Sequence, residues 1–278
     1  MTSVTGIIPP MNLLKIDYHM HTTLCGHAIG SLEEYVLHAI SIGLTEIGFS
    51  DHAPMVHERL QGVTMDERQL PIYHQMIDDM KAKYVDKITI KLALEADYIP
   101  GFEAKTQAII KAYPYDYIIG SVHYVNGWAV DDPATIEHWK NQDVNHIWHE
   151  YFQLLRLSAQ TGLFHIIAHS DLPKKFGYRP SVDMTDEVKA TAQVFKETGV
   201  AVEINTSGLR KPIKEMYPCP AYLKIYHEAG VPLTIGSDAH APQDVGKNFK
   251  EAHSLAIAAG YKEHVTFLKG KISGKVIL

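Results

Sequence analysis

The chain has 278 residues, 46% of them hydrophobic and 21% charged, which is enough for one large core, and no apolar run is long enough to span a bilayer. A net charge of −6 supplies no positive field to hold a phosphate polymer, so nucleic acid and membranes are both disfavoured partners. Two cysteines, Cys25 and Cys219, and an opening stretch without a basic start or an apolar segment read as free thiols in a cytoplasmic protein. In chain order, runs rich in Ile, Val and Leu at about 13–18, 45–50, 88–95, 116–122, 163–168, 200–205 and 232–236 predict strands. Helix-period stretches at 31–43, 68–84, 102–113, 144–162, 185–199, 219–230 and 244–260 alternate with them. Ser31 is placed to cap the first helix, with Glu33 and Glu34 in its opening turn, and Gly43, Gly199 and Gly230 close theirs.

Alternating units of this length favour a parallel sheet with right-handed crossovers. An open sheet would gather its chemistry at one switch point, whereas here all seven strands end in polar or titratable residues. The expectation is therefore an α/β fold, a seven-unit (β/α) barrel whose C-terminal mouth carries the site. No linker or low-complexity tract divides the chain, so 1–278 reads as a single domain with its core at about 14–270.

The strand-end residues give the chemistry. His19 and His21 sit two apart on one strand, and period-two geometry aims both imidazoles at one point. Asp17, on the same face, is placed either to orient a ligand imidazole or to serve as a polar residue of the interior. Later strands end in Asp51-His52, Glu95-Ala-Asp97, His123, His169-Ser-Asp171, Glu203-Ile-Asn205 and Asp238-Ala-His240. Of 17 histidines, His19, His21, His27, His52, His123, His169 and His240 converge with Glu95 and Asp238; the others read as surface or satisfied side chains. Nine such groups at one barrel mouth are reconciled only by metal ions, two or three of them, with zinc, manganese and iron all compatible. Cys25 is set aside, because nitrogen and oxygen ligands dominate around it. A divalent cluster suits phosphate esters. Two loops offer cations for the phosphate: Arg210 after the sixth strand, and Lys174, Lys175 and Arg179 after the fifth, each of these last three with a solvated loop charge as its alternative.

Taken together, Asp17-Tyr-His19-Met-His21-Thr, His27, Ser50-Asp51-His52, Leu94-Glu95-Ala-Asp97, Gly120-Ser-Val-His123, Ala168-His169-Ser-Asp171, Glu203-Ile-Asn205-Thr and Gly236-Ser-Asp238-Ala-His240 resemble the polymerase-and-histidinol-phosphatase (PHP) family, in its histidinol-phosphatase branch. The resemblance implies a distorted (β/α)7, TIM-like barrel holding three divalent metal ions (Zn, Mn or Fe). One would be held by His19, His21, Glu95 and Asp238, a second by Glu95, His123 and His169, and the third by His27, His52 and His240. It also implies hydrolysis of L-histidinol phosphate, a step of histidine biosynthesis, by a metal-bridging hydroxide. Asp238, His240 and Arg210 would act in catalysis, and Arg210 and Lys175 would bind the phosphate. Asp97, Asp131 and Asp171 are candidates for the leaving group's ammonium and imidazole. Another small phosphate ester or a nucleotide is the alternative substrate, and a homo-oligomeric assembly stays open.

Overall fold

The computed structural model of the protein describes residues 16–57 and 63–278. In chain order it runs β1 (Ile16–Asp17), α1 (Leu32–Ser41), β2 (Glu46–Phe49), α2 (Leu70–Lys83), β3 (Thr89–Asp97), α3 (Glu103–Lys111), β4 (Tyr117–Ser121), a hairpin of β5 (Tyr124–Val125) and β6 (Trp128–Ala129), α4 (Val144–Gln160), β7 (Ile166–Ile167), α5 (Thr185–Thr198), β8 (Ala201–Asn205), α6 (Pro220–Ala229), β9 (Leu233–Gly236), α7 (Phe249–Ala259), and a last hairpin of β10 (Glu263–Leu268) and β11 (Lys271–Ile277). Short 3-10 turns follow the strand ends, among them Thr23–Cys25, Leu172–Phe176 and Thr206–Arg210.

Seven strands pair in parallel in the order β1-β2-β3-β4-β7-β8-β9. Just beyond β1 and β9 a parallel bridge joins Met20 to Ala239, the His21 N–H donating to Ala239 O at 2.9 Å and the Ala239 N–H to His19 O at 3.2 Å. The sheet is thus a nearly closed (β/α)7 barrel, as its βα alternation predicts. The expected strand residues 13–15 lie outside the described residues. The fifth strand of the barrel, expected over 163–168, keeps only two ladder residues, because His169 turns left-handed at φ 27° and carries the chain out of the sheet.

Local signals account for the helix ends. Ser31 and Glu34 form a reciprocal capping box on α1, and Gly199 and Gly230 cap α5 and α6 in the left-handed region. Along the strands one face reads apolar at its start and polar at its end. Ala93, Tyr117, Ile119, Ile166 and Ala201 form an apolar cluster with Val265 and Phe267, while Glu95, Ser121 and Glu203 stand two residues further along β3, β4 and β8. Period two therefore stacks an apolar floor under a polar mouth. Tyr117 crosses that floor, its hydroxyl donating to Tyr18 O at 2.6 Å, and a Cβ at Gly48 would lie 1.8 Å from the Tyr117 hydroxyl oxygen, so only glycine fits there.

The two hairpins were not expected from the pattern. The last one turns at Lys269-Gly270, both at positive φ, a two-residue turn that lacks the usual Asn or Asp. It covers the floor, with the Phe267 N–H on Tyr18 Oη at 3.3 Å and the Gly270 N–H on Asp116 O at 2.9 Å. On β10, His264 is buried with its ring 6.2 Å from that of His253 on α7, and burial together with this second imidazole pushes its pKa down to about 4. The folded chain keeps His264 neutral, whereas the unfolded chain takes up a proton near pH 6.5. Its contribution is thus fully present above pH 6.5 and is lost as pH falls toward 4, by up to about 1.4 kcal/mol per pH unit. Thermal melts should therefore show a shallower acid decline of Tm in His264→Gln than in the parent protein; parallel declines would acquit this residue.

Candidate metal centre

All nine side chains expected at the mouth are within the described residues, and the fold brings them together. Glu95, at 3% exposure, stands at the middle with one oxygen facing each way. Its Oε2 lies 3.2 Å from His19 Nε2, 3.5 Å from His21 Nε2 and 3.1 Å from His52 Nδ1. Its Oε1 lies 3.1 Å from His169 Nε2 and 3.8 Å from His123 Nε2. Asp238 closes the first side, with Oδ1 3.2 Å from His21 Nε2 and 3.9 Å from His19 Nε2. On the outer lip His240 Nε2 comes within 2.9 Å of His27 Nε2, and their rings stack loosely with those of His21 and His52.

Three sets of potential ligand atoms each lie within 4.8 Å of one another: His19, His21 and Glu95; Glu95, His123 and His169; and His27, His52 and His240. A fourth set joins Cys25 to His21 and His240, although the Cys25 thiol donates to Thr22 O at 3.1 Å and burial pushes its pKa up to about 12. The donor set fits divalent ions on physical grounds. Among the described residues, His19 Nε2, both ring nitrogens of His21 and His169 Nδ1 are buried and make no properly directed hydrogen bond, an arrangement that costs free energy unless something else satisfies it.

The electrostatics point the same way. Burial opposes charge on His19, yet Glu203, Glu95 and Asp238 outweigh it and hold its pKa well above the usual imidazole range. Burial likewise opposes charge on His21 and His123, but carboxylates at Asp238 and Asp51, and at Asp97, raise them to about 9 and about 10. His52 and His240 go the other way, driven well below the usual range by burial and by neighbouring imidazoles, His21 first among them. Burial opposes ionisation of Glu95 and Asp238, and the surrounding histidines still hold both well below the usual carboxylate range. The mouth is a place where buried carboxylates demand positive charge.

Three carboxylates that the strand-end pattern did not single out as imidazole partners lie behind the histidines. Glu203 Oε1 is 2.7 Å from His19 Nδ1, Asp97 Oδ1 is 2.8 Å from His123 Nδ1, and Asp51 Oδ1 is 3.4 Å from His21 Nδ1. The signal was present in Asp51-His52, Glu95-Ala-Asp97 and Glu203-Ile-Asn205, but a sequence does not say which nitrogen a carboxylate meets. Among the described residues Asp17 meets no imidazole and is a buried polar residue of the interior: its carboxylate accepts from the backbone N–H groups of His19, Ser237 and Gly246 and so ties β1 to the turn after β9.

The cations sort themselves by partner. Arg210 donates from Nη2 to Ser237 O at 2.6 Å and Asp238 O at 3.1 Å, its Nε faces Asp244 at 3.5 Å, and its Nη1 is buried with no partner among the described residues. Lys175 reaches Asp131 at 2.8 Å. Lys174 is fully buried and spent on Asp171 at 2.7 Å, Glu215 at 3.1 Å and Met216 O at 2.7 Å, so it is neither a solvated charge nor free for a ligand. Asp171 Oδ2 meets Lys174 and the Cys219 N–H, Asp97 meets His123 and Asp131 meets Lys175, and of these three acidic candidates Asp131 is the most exposed. Arg179 pairs with Glu215 at 2.5 Å on the surface. Among the set-aside histidines, His146 and His149 make exposed pairs with Glu150 and Glu187, and His74 bonds Tyr115. Cys25 and Cys219 are both free. Among the described residues no helix is long and apolar enough to cross a membrane.

A histidinol-phosphatase of Bacillus subtilis is 29% identical over 256 residues, covering 84% of this chain and 96% of that protein. A probable histidinol-phosphatase of Deinococcus radiodurans is 38% identical over 238 residues, covering 85% of this chain and 90% of its own length. Among solved structures, a histidinol phosphate phosphatase of Lactococcus lactis in complex with zinc, L-histidinol and phosphate superposes with a TM-score of 0.82 at 25% identity, covering 94% of this chain and 99% of that one. The PHP domain model matches residues 17–207, from the aspartate before His19 through the loop after β8. With that match spanning most of the barrel and a relative at 38% identity, the chain belongs to the PHP domain family.

Proposed function

We propose that the protein is a metal-dependent phosphatase that hydrolyses L-histidinol phosphate to L-histidinol and phosphate, a step of histidine biosynthesis, with 1–278 acting as one catalytic domain. The observation that carries this is Glu95, whose two oxygens face two separate sets of imidazoles in a chain that resembles a phosphatase solved with zinc, L-histidinol and phosphate. In this reading His19, His21, Glu95 and Asp238 hold one divalent ion, Glu95, His123 and His169 a second, and His27, His52 and His240 a third. Bound there, such ions supply positive charge to phosphoryl oxygens and make coordinated water acidic enough to serve as a nucleophile near neutral pH.

The chain's own residues do the rest. Arg210 presents its unpartnered Nη1 to a phosphate oxygen, and Lys175, on exchanging Asp131 for the phosphate, adds a second positive charge from the loop after β7. Asp238 stays an acceptor: its Oδ2 takes hydrogen bonds from Asn205 Nδ2 at 3.2 Å and Ser207 Oγ at 2.9 Å while its Oδ1 faces imidazoles. His240 stands between Asp238 and His27 and so links the inner ligands to the outer lip. Asp131, beside Lys175, is the acidic group offered to the leaving group's cationic end.

Phosphate release from L-histidinol phosphate, measured beside a panel of nucleotides and sugar phosphates with zinc, manganese and iron supplied in turn, tests the substrate. The expected result is the highest kcat/KM on L-histidinol phosphate. A nucleotide or sugar phosphate preferred by orders of magnitude would overturn the assignment while leaving the metal centre intact.

A further inference from the structure

We infer that Glu203 is a positioning residue: it holds His19 in the tautomer that keeps Nε2 free for a metal ion, and it ties that imidazole to Asp238 and His169. This rests on the metal reading above and concerns a residue outside every candidate ligand set.

Glu203 lies on β8 at 1% exposure, with no cationic lysine or arginine bonded to it among the described residues. Its Oε1 meets His19 Nδ1 at 2.7 Å. Its Oε2 accepts from Asn205 Nδ2 at 3.0 Å and from the His169 backbone N–H at 3.4 Å. Asn205 Nδ2 also donates to Asp238 Oδ2, at 3.2 Å, and its Oδ1 accepts the Ser207 N–H at 2.9 Å, which fixes the amide the right way round. One buried carboxylate therefore reaches three of the proposed ligand residues: His19 directly, His169 through its backbone N–H and Asp238 through Asn205. The fold keeps room for it: a Cβ on Gly236, in register with Asn205, would fall 2.2 Å from Glu203 Oε1 and 2.6 Å from His19 Cβ.

An imidazole binds a metal through the nitrogen that carries no proton, so a carboxylate at Nδ1 selects Nε2 as the ligand and raises its basicity. Glutamine cannot reproduce this. Both oxygens of Glu203 accept, whereas an amide has one acceptor and one donor. If the amide oxygen faces His19, its NH2 meets the donors of Asn205 and His169; if it faces them, the NH2 pushes the His19 proton onto Nε2.

The test uses zinc-loaded, full-length protein and a chromophoric chelator in competition. Glu203→Gln should weaken zinc retention about 10- to 100-fold. In a His19→Ala background the same substitution should cost clearly less than in the parent, because the imidazole whose tautomer Glu203 selects is gone and only its links to His169 and Asp238 remain. Parental zinc affinity in Glu203→Gln overturns the inference, as does an equal penalty in both backgrounds, which marks a merely structural role. A parent protein that binds no zinc sinks the metal reading itself and this role with it. Should Glu203→Gln fail to fold, long-range 1H–15N spectra of the zinc-loaded parent decide: a proton on Nδ1 of His19 supports the inference, and a proton on Nε2 overturns it.

Discussion

Glu95→Gln is expected to lower kcat/KM on the phosphate ester by at least about 10³-fold while leaving the barrel folded, the scale of losing a principal electrostatic contact. The reason is position. Glu95 ends β3 at the centre of the mouth, and each of its oxygens is the anionic neighbour of a different set of imidazoles: Oε2 of His19, His21 and His52, Oε1 of His123 and His169. Glutamine matches its shape but removes the charge and one acceptor, so one proposed ion site loses its oxygen ligand and the other keeps only a neutral one. Elemental analysis after gel filtration should show fewer ions per chain than in the parent, alongside the lost turnover. Full metal content with undiminished turnover would mean that Glu95 is only a buried partner for histidines. An exposed carboxylate such as Glu137, which pairs with Lys140 on the surface, gives the comparison: removing it should move neither quantity.

Why so much of this site was legible in advance, and where legibility stopped, follows from geometry. Period-two alternation fixes a side chain's face, and a βα repeat fixes the end of the sheet at which loops gather, so residues as distant as His19 and His240 could be assigned to one mouth. That reasoning needs only residue type and spacing. It stops where a side chain has a choice of partner. Lys174 and Lys175 are adjacent and equally basic, yet one is buried between Asp171 and Glu215 while the other reaches Asp131, and nothing in Pro173-Lys174-Lys175-Phe176 separates them. Glu203 was marked as a strand-end carboxylate in Glu203-Ile-Asn205 but not as the partner of His19, because the group it serves lies 184 positions earlier. The terminal hairpin escaped for another reason: its alternation is weak and its turn is Lys-Gly, so its role under the barrel emerges only from Phe267 packing with Tyr18 and Tyr117.

Arg210→Lys should cost far more than a conserved charge suggests. In an unengaged arginine the planar fork would take two phosphate oxygens. Here the fork is divided, with Nη2 holding the carbonyls of Ser237 and Asp238, Nε toward Asp244, and Nη1 left for the anion. Asp238 sits at φ 50°, a conformation that a non-glycine residue keeps only when its surroundings impose it, and the clamp on its own carbonyl and the preceding one is part of that imposition. A lysine ammonium at the same place is a single point charge. It can reach the carbonyls or the phosphate oxygen, and reaching one abandons the other. The expected result is a fall in kcat/KM of about 10²- to 10³-fold, comparable to removing one transition-state donor. Weaker inhibition by inorganic phosphate should accompany it, since phosphate presents the same oxygens. Arg210→Met serves as the reference: if charge alone mattered, lysine would retain most of the activity that methionine loses, whereas a divided fork places lysine close to methionine. A lysine variant within about threefold of the parent in both kcat and KM would show that Arg210 neither holds Asp238 nor meets the substrate.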